Sequence, residues 1–215
     1  MVDLHSHILP GLDHGAQNLA QSCAMLRAAA EQGVTTLVAT PHVYRADFDR
    51  TAAQQKREQL APYAQQLGVR LLLGYEFNLS ALDVERPQAA EAFCMENTRR
   101  LLVEFPFGAW PQEWKRRIYD LQAHGMELVI AHPERYAQIQ QDLKILEWLA
   151  QMDCRFQVNA PGALWRVERR GRVIGRLMAM GRMDYVASDA HDERDYEGFR
   201  ARTIKWKQYL QNSEQ

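Results

Sequence analysis

Short apolar runs rich in Leu and β-branched residues recur along the chain about every 30 residues, the length of one strand–helix unit. They predict strands over Val2–His5, Thr35–Thr40, Val69–Gly74, Arg99–Phe105, Met126–Ala131, Cys154–Asn159 and Asp184–Ser188. Between them the apolar spacing turns helical. Asn18–Gln32 carries Leu19, Cys23, Leu26 and Ala30 on one face and stops at Gly33. Thr51–Leu67, Pro111–Gly125, Asp142–Met152, Arg172–Met180 and Thr203–Leu210 are the other predicted helices. Leu79–Thr98 breaks the rhythm at Pro87 and reads as a loop plus a short helix over one face.

Alternating strands and helices imply a parallel sheet. Six of the seven strands end at or near a histidine or carboxylate: His5 and His7, His42, Glu76, Glu104, His132, then Asp189 and His191. Ionisable residues converging from so many strand ends favour a closed barrel over an open sheet. The expected fold is α/β, a distorted seven-stranded (β/α) barrel of the TIM type, with a metal site at the C-terminal ends of its strands.

Composition narrows the choice further. The 215 residues and their evenly spread motifs suit one domain over 1–215, and a net charge of −1 leaves no bulk basic footprint for nucleic acid. Cys23, Cys94 and Cys154 form no paired motif, which suits a reducing compartment. No apolar run approaches the roughly 20 residues that a membrane span needs. The first strand starts near Val2, which leaves no room for a signal peptide. A cytoplasmic protein without membrane insertion is expected.

The chemistry follows from residue types. Alternation sends His5 and His7 to one side of their strand, so both can meet one ion, and Asp189–Ala190–His191 repeats the pattern on the last strand. In a closed barrel those strands are neighbours. Glu76 and Glu104 end apolar strands, where a carboxylate is costly without a cation; an arginine partner is the alternative to a metal. Mixed carboxylate and imidazole donors suit manganese, iron or zinc. Arg135 follows His132 in AHPER and is read as a phosphate clamp, against an ion pair with Glu134 or Glu127. His124 precedes Gly125 and reads as a helix cap. Cys94–Arg100 fits the C-x5-R spacing of cysteine phosphatases, but it lacks glycine and carries Glu96 where an anion would sit. The arginines of Trp165–Arg176 offer a surface for an acidic partner, and Phe105, Phe107 and Trp110 a rim for a ring-bearing substrate.

Taken in order, DLHSHILPGLDHG, ATPH, GYE, LVEFP, AHPERY, QVNA and VASDAH resemble the polymerase-and-histidinol-phosphatase superfamily. They are most similar to its bacterial protein-tyrosine phosphatases of capsular and exopolysaccharide operons. The resemblance implies three divalent ions, manganese with iron or zinc as alternatives. It puts His5, His7, Glu76 and Asp189 around one ion, Glu76, Glu104 and His132 around a second, and His14, His42 and His191 around a third. It implies that Arg135 contacts phosphate, with Arg194 as the second arginine. It also implies that the substrate is the phosphotyrosine-bearing tail of a bacterial tyrosine kinase that regulates polysaccharide synthesis. A histidinol-phosphatase-like small-molecule enzyme and a weakly catalytic phosphotyrosine-tail binder are the alternatives. Where relatives carry Asp-Asp, this chain has Asp13-His14, and Asp192–Asp195 fills the loop after the last histidine.

Overall fold

The computed structural model describes residues 1–160 and 168–204. Strands β1 (Val2–Ser6), β2 (Thr36–Ala39) and β4 (Arg70–Leu73) form one parallel sheet in the order β1-β2-β4. Strands β3 (His42–Val43), β5 (Glu76–Asn78), β6 (Arg100–Glu104), β7 (Glu127–Ala131), β8 (Arg155–Asn159) and β9 (Tyr185–Ala187) form a second, in that order. Every pairing within them is parallel.

The sequence predicts one seven-stranded sheet closed on itself, whereas the ladder here is split in two. Two short links carry the chain from the first sheet to the second. Between β2 and β3 lies Pro41, which has no N–H to donate. Between β4 and β5 lies Gly74, where a Cβ would stand only 3.0 Å from the side chains of Val38 and Met95. Both breaks redirect the strand toward the site. Strands β3 and β5 are too short for any periodicity to reveal, which is why the sequence reads none there.

The outer strands β1 and β9 also approach each other. Ser6 bridges Ala190, the His7 amide donates to the Ala190 carbonyl at 2.8 Å, and the Asp189 amide donates to the His5 carbonyl at 2.9 Å. Buried Asp3 reinforces this seam by accepting from the Ser188 amide at 2.9 Å and the Tyr196 hydroxyl at 3.0 Å.

Helices α1 (Leu19–Glu31), α2 (Arg50–Gln66), α3 (Trp114–Ala123), α4 (Ala137–Gln141), α5 (Lys144–Gln151) and α6 (Glu168–Ala179) connect the strands. Asn18 caps α1 by accepting from the Gln21 amide. His124 follows α3 and its ring donates back to the Asp120 carbonyl at 2.8 Å. The Leu79–Thr98 stretch contains two 3-10 turns, Leu79–Ala81 and Pro87–Phe93. Of the predicted tail helix, 205–210 lies outside the described residues, as do Trp165 and Arg166 of the arginine run.

Strand alternation builds two apolar layers. Leu101 and Val103 of β6, with Leu128 and Ile130 of β7, pack into the large core, while Leu102, Val129 and Ala131 join Leu4, Val38 and Ala187 in a smaller inner cluster. The inner face is the one that leads to the site.

Candidate metal centre

Local backbone irregularities aim the ionisable side chains. Asp3 and His5 would share a face of a regular strand, but β1 shifts register between Asp3 and Ser6. Asp3 therefore joins Ser188 and Tyr196, while His5 turns to the site. His132 follows inward-facing Ala131 and would point outward in an extended strand; its φ of 32° swings it inward. Asp189 sits at φ 52°. Left-handed backbone at non-glycine residues is strained, and here it serves convergence.

Four side chains from three strand ends meet. His5 Nε2 lies 3.2 Å from His7 Nε2, 3.2 Å from Glu76 Oε2 and 3.4 Å from Asp189 Oδ1. His7 Nε2 lies 3.3 Å from the same two carboxylate oxygens. Donors held tetrahedrally at zinc-like bond lengths stand ~3.3 Å apart, so the four atoms already have the spacing of a first coordination sphere. Their neighbours fix the orientation. His5 Nδ1 donates to Gln157 Oε1 at 2.9 Å and His7 Nδ1 to Asp13 Oδ2 at 2.8 Å, which leaves both Nε2 atoms facing inward. Gln157 is itself held by Asn159, whose amide nitrogen donates to Asp189 Oδ2 at 2.6 Å.

Two further groups share these residues: His42, Glu76 and Glu104, and His7, His42 and His191. His132 Nε2 donates to Glu76 Oε1 at 2.7 Å, and Asn78 donates to Glu104 Oε2 at 2.9 Å. Both ring nitrogens of His42, Glu76 Oε2, His132 Nδ1 and His191 Nε2 are buried without a hydrogen-bond partner. Such atoms are costly to bury unpartnered, and a cation held among them would satisfy them. Electrostatics makes the same demand. Burial opposes charge on His5, yet Glu76 and Asp189 push its imidazole up to about 9. Burial would raise Asp189, but His5 and His7 hold it well below the usual carboxylate range. Burial and nearby Glu76 raise Glu104. The donor set fits divalent metal.

The arrangement differs in detail from the sets that the resemblance implies. His5, His7, Glu76 and Asp189 are brought together, but His42 joins Glu76 and Glu104 where His132 was expected. His7 joins His42 and His191 where His14 was expected. Gly15 explains the second difference: a Cβ there would collide with the His7 carbonyl, so the loop packs tightly on β1. That turn directs Asp13 inward, to His7 and the amides of Gly15 and His42, and leaves His14 exposed. The His14 ring still lies 4.4 Å from that of His191 and 4.8 Å from that of His42.

Arg135 stands at the rim. It pairs with neither Glu134 nor Glu127; Nη1 donates to Asp189 Oδ2 at 2.7 Å and the guanidinium lies 4.8 Å from the Phe107 ring centre. Arg194 lines the same groove of about 390 Å³ as Arg135, Asn159 and His191, but it is largely exposed and its Nη2 donates to Asp192 at 2.7 Å. Arg170 also lines this groove, while Arg172 and Arg176 bond Gln140 and Glu147. Of the expected aromatic rim only Phe107 is exposed: Phe105 is buried and stacked on Trp110 at 4.1 Å. The C-x5-R spacing holds no phosphate cradle. Burial pushes the Cys94 thiol up to about 11, Arg100 bonds Glu127 at 3.3 Å, and Glu96 pairs with Arg57.

Sequence reasoning missed Gln157 and Tyr44. Gln157 and Asn159 are polar at alternate positions of apolar β8, a signal that pointed to the inner face. Tyr44 carries no such signal.

Histidines and carboxylates gathered at the C-terminal ends of parallel strands, beside an arginine, define a metal-centred α/β protein. Its family is narrower: the chain belongs to the CpsB/CapC family of capsular polysaccharide synthesis, whose model matches residues 1–205. It is 34% identical over 200 residues to tyrosine-protein phosphatase YwqE of Bacillus subtilis, covering 89% of this chain and 78% of that one. It is 30% identical to the putative tyrosine-protein phosphatase CapC of Staphylococcus aureus, over 89% of this chain and 77% of that one. A solved structure from work on YwqE and on CpsB of Streptococcus pneumoniae, described as unique metal-dependent tyrosine phosphatases, superposes with a TM-score of 0.79 at 32% identity. That match covers all of this chain and 87% of the other.

Proposed function

We propose that this chain is a metal-dependent phosphoric monoester hydrolase, a protein-tyrosine phosphatase acting in capsule or exopolysaccharide synthesis. The observation that carries the reading is the close convergence of His5, His7, Glu76 and Asp189 with Arg135 at its edge. Membership of a family whose relatives are tyrosine phosphatases supports the substrate class.

His5, His7, His42, Glu76, Glu104, His132, Asp189 and His191 would hold up to three divalent ions, manganese with iron or zinc as alternatives. His14 stays a candidate at the edge of the third. When bound, such ions act as Lewis acids toward phosphoryl oxygen and make water nucleophilic near neutral pH. The chain's own residues do the rest. Asp13 and Gln157 hold the imidazoles of His7 and His5 with Nε2 inward. Arg135 presents its remaining N–H groups to the phosphoryl group while Asp189 anchors Nη1. Arg194, on the groove wall, is positioned to steer the anion inward. Cys94 takes no part as a thiolate, because burial raises its thiol to about 11.

The physiological substrate on this reading is the phosphotyrosine-bearing tail of a bacterial tyrosine kinase, dephosphorylated in the cytoplasm. No helix among the described residues is long and apolar enough to cross a membrane. The whole chain acts as one phosphatase domain. The Ser6–Ala190 bridge supports reading its two sheets as one distorted barrel. Turnover of a phosphotyrosine peptide by the manganese-loaded chain, compared with histidinol phosphate, tests the reading. Preference for the peptide supports it, and faster turnover of histidinol phosphate would replace it with a small-molecule activity. Binding of the peptide with no turnover of either would leave only a tail-binding role.

A further inference from the structure

Two exposed aromatic rings stand over candidate ligands at the mouth of the site. Tyr44 is 54% exposed and Phe107 is 50% exposed, among the most exposed large apolar side chains described. Single exposed aromatics are ordinary on protein surfaces. These two are held in fixed attitudes over candidate ligands. The Tyr44 ring stacks on His42 at 4.8 Å and 18°, and the Phe107 ring on His132 at 5.8 Å and 16°.

The histidines beneath them converge on one carboxylate. His42 Nδ1 lies 2.9 Å from Glu76 Oε2, and His132 Nε2 lies 2.7 Å from Glu76 Oε1. The two rings therefore border the same centre from the sides of its two oxygens. Phe107 also lies beneath the Arg135 guanidinium, so one border of the mouth is apolar directly beside a phosphate-binding arginine. Beyond Tyr44 the surface opens into a shallow concavity bounded by Ala46, Ser80 and Leu82, with room for chain flanking a bound residue.

We propose that Tyr44 and Phe107 are specificity-determining residues that take the phenyl ring of the substrate between them, selecting aryl over alkyl phosphomonoesters. The inference rests on the phosphatase reading and assigns its substrate preference to two side chains outside the metal cluster. A phosphate ester held at Arg135 has the Phe107 ring, 4.8 Å from the guanidinium, as an adjacent apolar surface for its organic group. A phenyl group can meet aromatic rings face or edge on, an interaction that a serine-type alkyl chain does not offer. Tyr44 and Phe107 leave the reacting phosphoryl group to the cluster and Arg135.

The test compares metal-loaded wild type with Tyr44→Ala, Phe107→Ala and Tyr44→Phe, using phenyl phosphate and propyl phosphate. The readout is each variant's ratio of kcat/KM for the two esters. Calorimetric binding of phenylphosphonate and methylphosphonate adds a measure independent of turnover, and metal content with a thermal melt checks that each variant is folded and loaded. We expect the aryl-to-alkyl ratio to fall about fivefold in each alanine variant, the scale of one aromatic pair, with the phosphonate ratio falling alongside and Tyr44→Phe keeping both. Unchanged ratios in the alanine variants overturn the inference, whatever happens to absolute rates. A Phe107→Ala loss shared equally by both esters means that Phe107 only supports Arg135, which removes it from the aryl surface. Failure of wild type to hydrolyse either ester overturns the phosphatase reading and this inference with it.

Discussion

Asp13 accepts a hydrogen bond from His7 Nδ1 at 2.8 Å and thereby fixes which nitrogen of that imidazole faces Glu76 and Asp189. The same carboxylate also receives the amides of Gly15 at 2.9 Å and His42 at 3.1 Å, so one side chain sets the loop, the first histidine pair and the start of β3. Burial would raise Asp13, but its bond with His7 holds the carboxyl far below the ordinary range, so it stays an acceptor throughout the neutral range.

Asp13→Asn is expected to weaken metal binding about 10–100-fold, the usual effect of losing a carboxylate that orients a ligand histidine. His14→Ala is expected to keep the same number of ions and to weaken only the third, because His14 lies outside the clustered donor groups but beside His42 and His191. Metal titration with elemental analysis of both variants checks this. Loss of an ion in His14→Ala with full retention in Asp13→Asn would reverse the roles.

Arg135→Lys is expected to lower kcat/KM about tenfold or more, the scale of one strong hydrogen bond to a charged group. A lysine can still reach an anion but cannot pair with Asp189 and phosphate through a planar fork. Steady-state kinetics on p-nitrophenyl phosphate, with the melt unchanged, is the measurement. Wild-type kinetics in a folded variant would take Arg135 out of the site.

Chelation is expected to abolish hydrolysis, while Cys94→Ser leaves it largely intact. Burial raises the thiol to about 11, so it is protonated throughout the pH range 6–9 and can impose no thiolate limb on the rate profile there. Matching pH profiles for wild type and Cys94→Ser are the expected result. A chelator-resistant enzyme inactivated by Cys94→Ser would move the chemistry to the thiol.

Asp3→Ala is expected to cost about 3 kcal/mol of stability, since it leaves the Ser188 amide and hydroxyl and the Tyr196 hydroxyl without their shared acceptor. For a chain of this size that is roughly a 6–12 °C lower Tm. Differential scanning calorimetry measures it. A shift within a degree or two would mean that this seam between β1 and β9 contributes little.

Much of the fold was legible because strand and helix periods are local. Each predicted strand overlaps an observed one within about two residues at either end, the usual uncertainty of element boundaries. Helix α4 escaped because its five residues are too few to show a period. Phe105 and Trp110 were misplaced at the rim for a different reason. An aromatic residue after a strand end looks alike in sequence whether it turns to solvent or folds back on a neighbour, and here half-buried Trp110 stacks on buried Phe105.

The sequence by itself determined which residue types stand at the strand ends, and so that hard, ionisable donors gather on one side of a parallel α/β scaffold. It could do so because side-chain alternation and strand–helix rhythm are written in nearest neighbours. Only the tertiary structure decided how those donors are shared out. The β1 register shift separates Asp3 from His5, Pro41 and Gly74 split the ladder, left-handed backbone turns His132 inward, and tight packing at Gly15 turns Asp13 to His7 and leaves His14 outside the clustered donors. Each is a departure from regular geometry imposed by contacts between segments far apart in the chain, and no local period can encode it.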